Sequence, residues 1–483
     1  MHMIKKIFLA IFIVLFLVVG IVVFNTLRFS KEIVTKPSKE LPNLPDSAIS
    51  HMQQAIHFKT ISAGDGQPVD TAQYLAFWLF VEKNYPLVHQ TLTHQSFNGL
   101  SRLYKWEGKH PEQKPYVLMA HYDVVPVEAA TEKLWTVPAF EGILKNDTIY
   151  GRGAADDKSS LISILEAAEK LLADHFQPER TIYFSFGNDE ETIGHGAQAI
   201  AKYLDENKIH PEVVLDEGGE ITEENFTELK RPVALIAVAE KGYMSFDLTV
   251  EMHGGHSSTP APETAIDVLN KGLVHLRKKQ MPYQFLPVIH EMLNRVGPGM
   301  PFMQRMAIAN TWLFEKQLVS EMEKDKSSNA LFHTTIVPTI IQAGIKDNVI
   351  PTVAKATVNT RILPGTTVEQ VEEFMNKQIN DARVKITHYS PPDKVGPAAS
   401  YESVAYKKVE NATYQIMKSV IPVPFLSVGA TDSKYFQTIA DGVIKFSPTV
   451  DAKGFHGIDE RIGVSDLKRM VYFYQIMMQE AGK

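Results

Sequence analysis

Three short apolar runs, each closing on a histidine or on acids, constrain this chain more than any other feature. Residues 116–120 lead into His121-Tyr122-Asp123, residues 181–186 into Asp189-Glu190-Glu191, and Val213-Val214-Leu215 into Asp216-Glu217. Unbroken apolar runs of this length read as strands buried on both faces. Between the first two, Leu161, Ile164, Leu165, Ala168, Leu171 and Leu172 recur at helical spacing. Strand, helix, strand at these separations defines an α/β unit with a mainly parallel sheet. Ligands of such sheets bind beyond the carboxyl ends of the strands, which is where the histidine and acids collect. Carboxylates crowded there repel one another unless cations lie between them. Imidazole and carboxylate donors without thiolates suit Zn²⁺, with Mn²⁺ or Co²⁺ as alternatives.

The middle of the chain follows a different period. Residues 245–250 alternate like a half-exposed strand, and residues 354–361 do the same before an amphipathic helix from Thr367 and a strand near 384–387. A smaller α+β domain with an open sheet is therefore expected over 245–390, inserted between the two parts of the α/β domain, 45–244 and 391–483. The N-terminal 30 residues are a separate matter. Lys5 and Lys6 precede an uncharged apolar run over 7–24. As a helix that run rises about 27 Å, close to the hydrocarbon thickness of a bilayer. Asn25-Thr26-Leu27-Arg28 makes a poor cleavage site, so residues 1–30 read as a retained membrane anchor rather than a removed signal. The catalytic part is then expected to be extracytoplasmic, whether periplasmic, lumenal or secreted.

The chain carries no cysteine, which excludes disulfides, thiolate metal sites and Cys nucleophiles. A net charge of −7, with no basic run in the soluble part, argues against nucleic acid as a partner.

Several ordered motifs together resemble the M20 family of metallopeptidases, most of all its carboxypeptidase S and N-acyl-amino-acid amidohydrolase branch. Met119-Ala120-His121-Tyr122-Asp123-Val124-Val125-Pro126, Tyr150-Gly151-Arg152-Gly153, Asp189-Glu190-Glu191, Leu215-Asp216-Glu217-Gly218-Gly219, Gly255-His256-Ser257-Ser258 and Phe455-His456-Gly457 follow in the family's order over roughly residues 50–480. The resemblance implies a dizinc catalytic domain with an inserted ferredoxin-like lid domain. His121 and Asp216 would bind one zinc, Glu191 and His456 the other, and Asp156 would bridge them. It further implies that Asp123 orients the His121 ring, that Glu190 is the general base, and that Asp157 forms a cis peptide with Asp156. His256 would stabilise the oxyanion, often from the partner of a homodimer formed through the lid domain. Arg361 would clamp the substrate carboxylate, with Asn348 beside it. The substrate implied is a peptide or an N-acyl amino acid, cleaved at an amide next to a free carboxylate. Ala430 and Lys434 depart from the Asn and Arg usual in these relatives, which bears on specificity rather than on metal chemistry. The alternative is a membrane-anchored binding protein that keeps the fold without catalysis; an intact Glu190 beside a full ligand set speaks against it.

Overall fold

The computed structural model describes residues 2–29, 36–38, 40–64, 67–224, 226–389, 396 and 398–482. The boundary placed at 390/391 lies outside the described residues.

A large twisted sheet forms the body of the molecule. Its strands run in the order Thr93–Phe97, Ser101–Trp106, Ile182–Gly187, Tyr116–His121, Val213–Asp216, Val443–Lys445, Val233–Glu240 and Ile421–Ser427. All three apolar runs are strands, and they are neighbours. Tyr116–His121 is central and parallel to both Ile182–Gly187 and Val213–Asp216. Alternation explains their composition: Tyr116, Leu118 and Ala120 enter one apolar cluster, while Val117 and Met119 enter another on the opposite face. Helix His195–Glu206 covers the second face through Ala197, Ile200 and Leu204. Helices Lys158–Ala173 and Val464–Glu480 pack together over the first.

The sheet is mixed rather than mainly parallel. Ser101–Trp106 runs antiparallel to Ile182–Gly187, because a tight turn through Asn98 and Gly99, both at positive φ, reverses the chain after Thr93–Phe97. Val443–Lys445 is parallel to one neighbour and antiparallel to the other. The parallel pairing survives where the site is built.

A second sheet is antiparallel throughout, in the order Thr335–Ala343, Val353–Ile362, Gly242–Glu251 and Val384–His388. Helices Ala265–Lys278 and Val368–Ile379 pack on it, each opened by a Thr capping box at Thr264 and Thr367. The helices between Pro287 and Phe332 do not join this cluster. Val288, Ile289, Met292, Leu293, Val296, Val319 and Phe332 lie in the main core, and helix Pro287–Val296 packs against edge strand Ile421–Ser427. These helices cover a strand at the border of the large sheet that would otherwise stand open.

Helix His2–Phe29 contains a 27-residue segment, long and apolar enough to cross a membrane, whose most apolar 18-residue stretch has a mean hydropathy of 3.5. Most of it is exposed, and its last turns pack against helix Phe302–Ala309.

Candidate metal centre

At the carboxyl end of the central strands, side chains from five separated segments converge. His121 is the last residue of its strand and is buried. Its Nδ1 lies 3.1 Å from the carbonyl oxygen of Asp123 and 3.3 Å from Asp123 Oδ1. That fixes the ring so that Nε2 points into the site, as a ligand histidine requires. The Asp123 carboxylate also accepts the backbone N–H of Glu190 at 3.2 Å through Oδ1, and that of Glu191 at 3.1 Å through Oδ2. One buried carboxylate therefore locks the histidine strand to the Glu190-Glu191 loop.

Asp156 sits between the two histidines. Its Oδ1 lies 3.0 Å from His121 Nε2 and its Oδ2 3.1 Å from His456 Nε2. Glu191 Oε2 stands 3.0 Å from the same His456 nitrogen. A carboxylate facing one imidazole with each oxygen is the arrangement a bridging ligand needs. The Asp156–Asp157 peptide is cis, as the resemblance implies. Asp157 occupies the N-cap position of helix Lys158–Ala173, yet its side chain makes no capping bond. Both of its carboxylate oxygens are buried without a hydrogen-bond partner.

Residues far apart in sequence hold Asp156 in place. Glu460 accepts the backbone N–H groups of Ala155 and Asp156 at 2.9 and 3.1 Å and a hydrogen bond from Arg152 Nη1 at 2.6 Å. Arg152 Nη2 donates to the Gly457 carbonyl at 3.0 Å, tying the His456 loop to the Asp156 loop. Sequence reasoning missed Glu460; no local pattern marks an acid that works across 300 residues.

Glu217, not Asp216, enters the cluster. Glu217 Oε1 is 3.2 Å from His121 Nε2, whereas Asp216 Oδ2 accepts the backbone N–H of Ser433 at 2.9 Å. Consecutive residues at a strand end point to opposite sides, so only one of the pair faces His121. His121, Asp156 and Glu191, and separately His121, Asp157 and Glu217, bring donor atoms within 4.8 Å of one another. Two donors about 2.0–2.2 Å from one zinc ion stand roughly 3.3–3.6 Å apart in tetrahedral geometry, close to the separations seen here.

The electrostatics call for positive charge. Burial opposes a proton on His121, but Glu217, Asp123 and Asp156 outweigh it and hold its pKa well above the ordinary value. Hydrogen bonds accepted by Asp156 and Glu191 push His456 up to about 10. Burial raises Glu217 to about 8, with Asp156 adding to it and His121 opposing. Burial also lifts Glu190 well above the usual carboxyl range; His121 opposes this, while Glu217, Asp432 and Asp156 reinforce it. Carboxylates packed this densely are stabilised by cations.

The residues that the resemblance implies for the substrate, His256, Asn348 and Arg361, belong to a short ribbon, the turn leading into it and the antiparallel sheet. His256 and Val349 pair across a two-stranded ribbon, and Ser257 N–H donates to the Asn348 carbonyl at 3.3 Å. His256 and Asn348 are therefore neighbours. The His256 ring is exposed and bonds to Ser258, whose N–H lies 3.1 Å and whose Oγ lies 2.7 Å from Nδ1. Arg361, on strand Val353–Ile362, lies with its guanidinium 4.7 Å from the centre of the Tyr243 ring.

A mixed α/β fold with imidazoles and carboxylates gathered at the ends of its parallel strands defines a metal-dependent hydrolase class. Residues 117–480 match the family described as Peptidase family M20/M25/M40, and the chain belongs to that family. It is 36% identical over 439 residues to the human "N-fatty-acyl-amino acid synthase/hydrolase PM20D1", covering 89% of this chain and 87% of that protein. It is 34% identical over 489 residues to the "Probable carboxypeptidase S-like 2" of Dictyostelium discoideum, covering 97% and 93%. Among solved structures, an M20 family metallo-carboxypeptidase from Sulfolobus solfataricus superposes with a TM-score of 0.65 at 18% identity, over 91% of this chain and all of the other. The chain is thus an enzyme, a metallohydrolase of amide bonds in a family that is typically zinc-dependent. The non-catalytic reading falls.

Proposed function

We propose that this protein is a membrane-anchored two-zinc hydrolase that releases an amino acid from its N-acyl derivative, a C-terminal peptide bond being one instance. The observation that carries the reading is Asp156, its two oxygens facing His121 and His456. His121 and Glu217 would hold one zinc and Glu191 and His456 the other, with Asp156 shared. Two such ions supply a hydroxide nucleophile near neutral pH and polarise the scissile carbonyl. Glu190, beside the ligands but outside the sets that face the histidines, takes the nucleophile's proton and delivers it to the leaving nitrogen. Asp123 is a positioning residue: it holds the Glu190 and Glu191 backbone and the His121 ring together. Arg361 would grip the free carboxylate of the substrate with a planar fork that lysine lacks.

The small sheet supports a lid that also dimerises. Its edge strand Thr335–Ala343 leaves Val337, Ile340 and Ile341 exposed, an edge that gains by pairing. Exposed His256, bonded within its own ribbon to Ser258, fits supply to a neighbouring subunit's site as an oxyanion donor. Helix His2–Phe29 supports anchoring. A turnover screen of N-fatty-acyl amino acids against C-terminal dipeptides, with zinc content measured in parallel, tests the reading. Hydrolysis of neither class by zinc-loaded enzyme would overturn it.

A further inference from the structure

The anchor helix is held to the body by a buried polar latch. Asn310, fully buried, donates from Nδ2 to the Val22 carbonyl and Thr26 Oγ1, each at 3.3 Å, and to the Met306 carbonyl at 2.9 Å. Its Oδ1 accepts from Asn25 Nδ2 at 2.9 Å. Asn310 is the joint between helices Phe302–Ala309 and Thr311–Met322. Val18, Val22, Asn25, Thr26 and Phe29 form one covered stripe on the anchor, whose other residues are largely exposed. The latch therefore fixes a depth. Val22 belongs to the apolar run that ends at Phe24, and the helix continues about 10 Å beyond Val22 to Phe29 at 1.5 Å per residue. The joint stands at the end of the apolar run, touching Val22 inside it and Asn25 and Thr26 just beyond it.

The two helices that meet at this joint expose large apolar side chains. Phe302 is 49% exposed, Met303 67%, Trp312 58% and Leu313 41%. Arg305 lies with its guanidinium 5.9 Å from the Phe302 ring centre. Tryptophan favours the boundary between headgroups and hydrocarbon, and aromatic and aliphatic side chains on one face of a helix bury into it. Resting on the reading of His2–Phe29 as a membrane span, we infer that the hairpin of Phe302–Ala309 and Thr311–Met322 is a second membrane contact. It seats Phe302, Met303, Trp312 and Leu313 in the lipid interface beside the anchor. The catalytic body is then held against the bilayer in one orientation, instead of swinging on a tether.

Because the natural chain has no cysteine, single-site labelling tests this in the full-length protein. Phe302→Cys, Met303→Cys, Trp312→Cys and Leu313→Cys, each carrying a nitroxide label, are reconstituted in phosphatidylcholine vesicles. Phe12→Cys serves as the lipid reference and Lys202→Cys, on an exposed charged position, as the water reference. Collision rates with oxygen, relative to those with a water-soluble nickel chelate, should be at least about tenfold higher at the four hairpin sites than at residue 202. Hairpin labels that match residue 202, with residue 12 in lipid, would overturn the inference and leave the anchor standing. A water-like label at residue 12 would overturn both.

Discussion

Replacing Glu190 with Gln separates proton transfer from metal binding. The Glu190 side chain is not among the groups that converge on His121 and His456, and its backbone is held by Asp123 through the N–H, which the substitution leaves intact. Gln keeps the volume and polarity of the site but cannot accept the nucleophile's proton. A positioned general base contributes typically about 10²–10⁴-fold in rate, or roughly 2.7–5.4 kcal/mol of barrier at 1.36 kcal/mol per decade. The upper half of that range is expected, because Glu190 is enclosed by Glu217, Asp432 and Asp156, and a basic carboxylate in such surroundings accepts a proton readily. The assay measures kcat on an N-acyl amino acid alongside zinc per chain by elemental analysis. Metal content should stay at the wild-type value while kcat falls by at least about a thousandfold. A variant that keeps a tenth or more of wild-type kcat would refute Glu190 as the base. One that loses metal would show that the carboxylate is a ligand instead.

Four more outcomes are expected. Glu217→Ala should lose one zinc per chain and most activity, whereas Asp216→Ala should retain its metal; the reverse pattern in elemental analysis would restore Asp216 as the ligand. Stripped protein should bind zinc more tightly as pH rises from about 6.5 towards about 10, because His456 is held protonated there and must release its proton to ligate. Titration calorimetry in buffers of different ionisation enthalpy reads that proton release, and pH-independent affinity would contradict it. Arg361→Lys should raise KM for substrates with a free carboxylate, with a loss of about 1.5–3 kcal/mol in kcat/KM, and spare amidated analogues; equal losses would make Arg361 structural. His256→Ala should slow turnover by about 100–1,000-fold with unchanged metal, and mixing it with Glu190→Gln should partly restore activity if subunits share sites. Failure to complement under proven subunit exchange would confine His256 to its own chain.

Much of the architecture is written in local patterns. Two-residue alternation and unbroken apolar runs mark the strands around His121, Glu190 and Asp216, since a strand buried on both faces leaves no room for polar residues until it ends. The Thr264 and Thr367 boxes mark helix starts for an equally local reason: one side chain satisfies a backbone N–H three residues away. That His121, Asp156, Glu191 and His456 come together was legible from motif order. The direction of the edge strands was not, because a hairpin turn rather than a residue period decides it. The helices between Pro287 and Phe332 were misplaced for a related reason, since amphipathic spacing shows that a face is buried but not against which sheet.

By itself, then, the sequence marked the candidates for metal binding and the segments that become the central strands, the helices that cover them and a long apolar N-terminal helix. Tertiary structure alone decided that Glu217 faces His121 while Asp216 turns to Ser433. It also decided that Glu460 and Arg152 clamp the Asp156 and His456 loops, and that Asn310 latches the anchor at the level of its last apolar turn. The physical reason is common to all three. Orientation at a strand end, a buried carboxylate serving distant backbone groups, and the seat of the N-terminal helix on the body are fixed by packing partners hundreds of residues away, on which local periodicity carries no information.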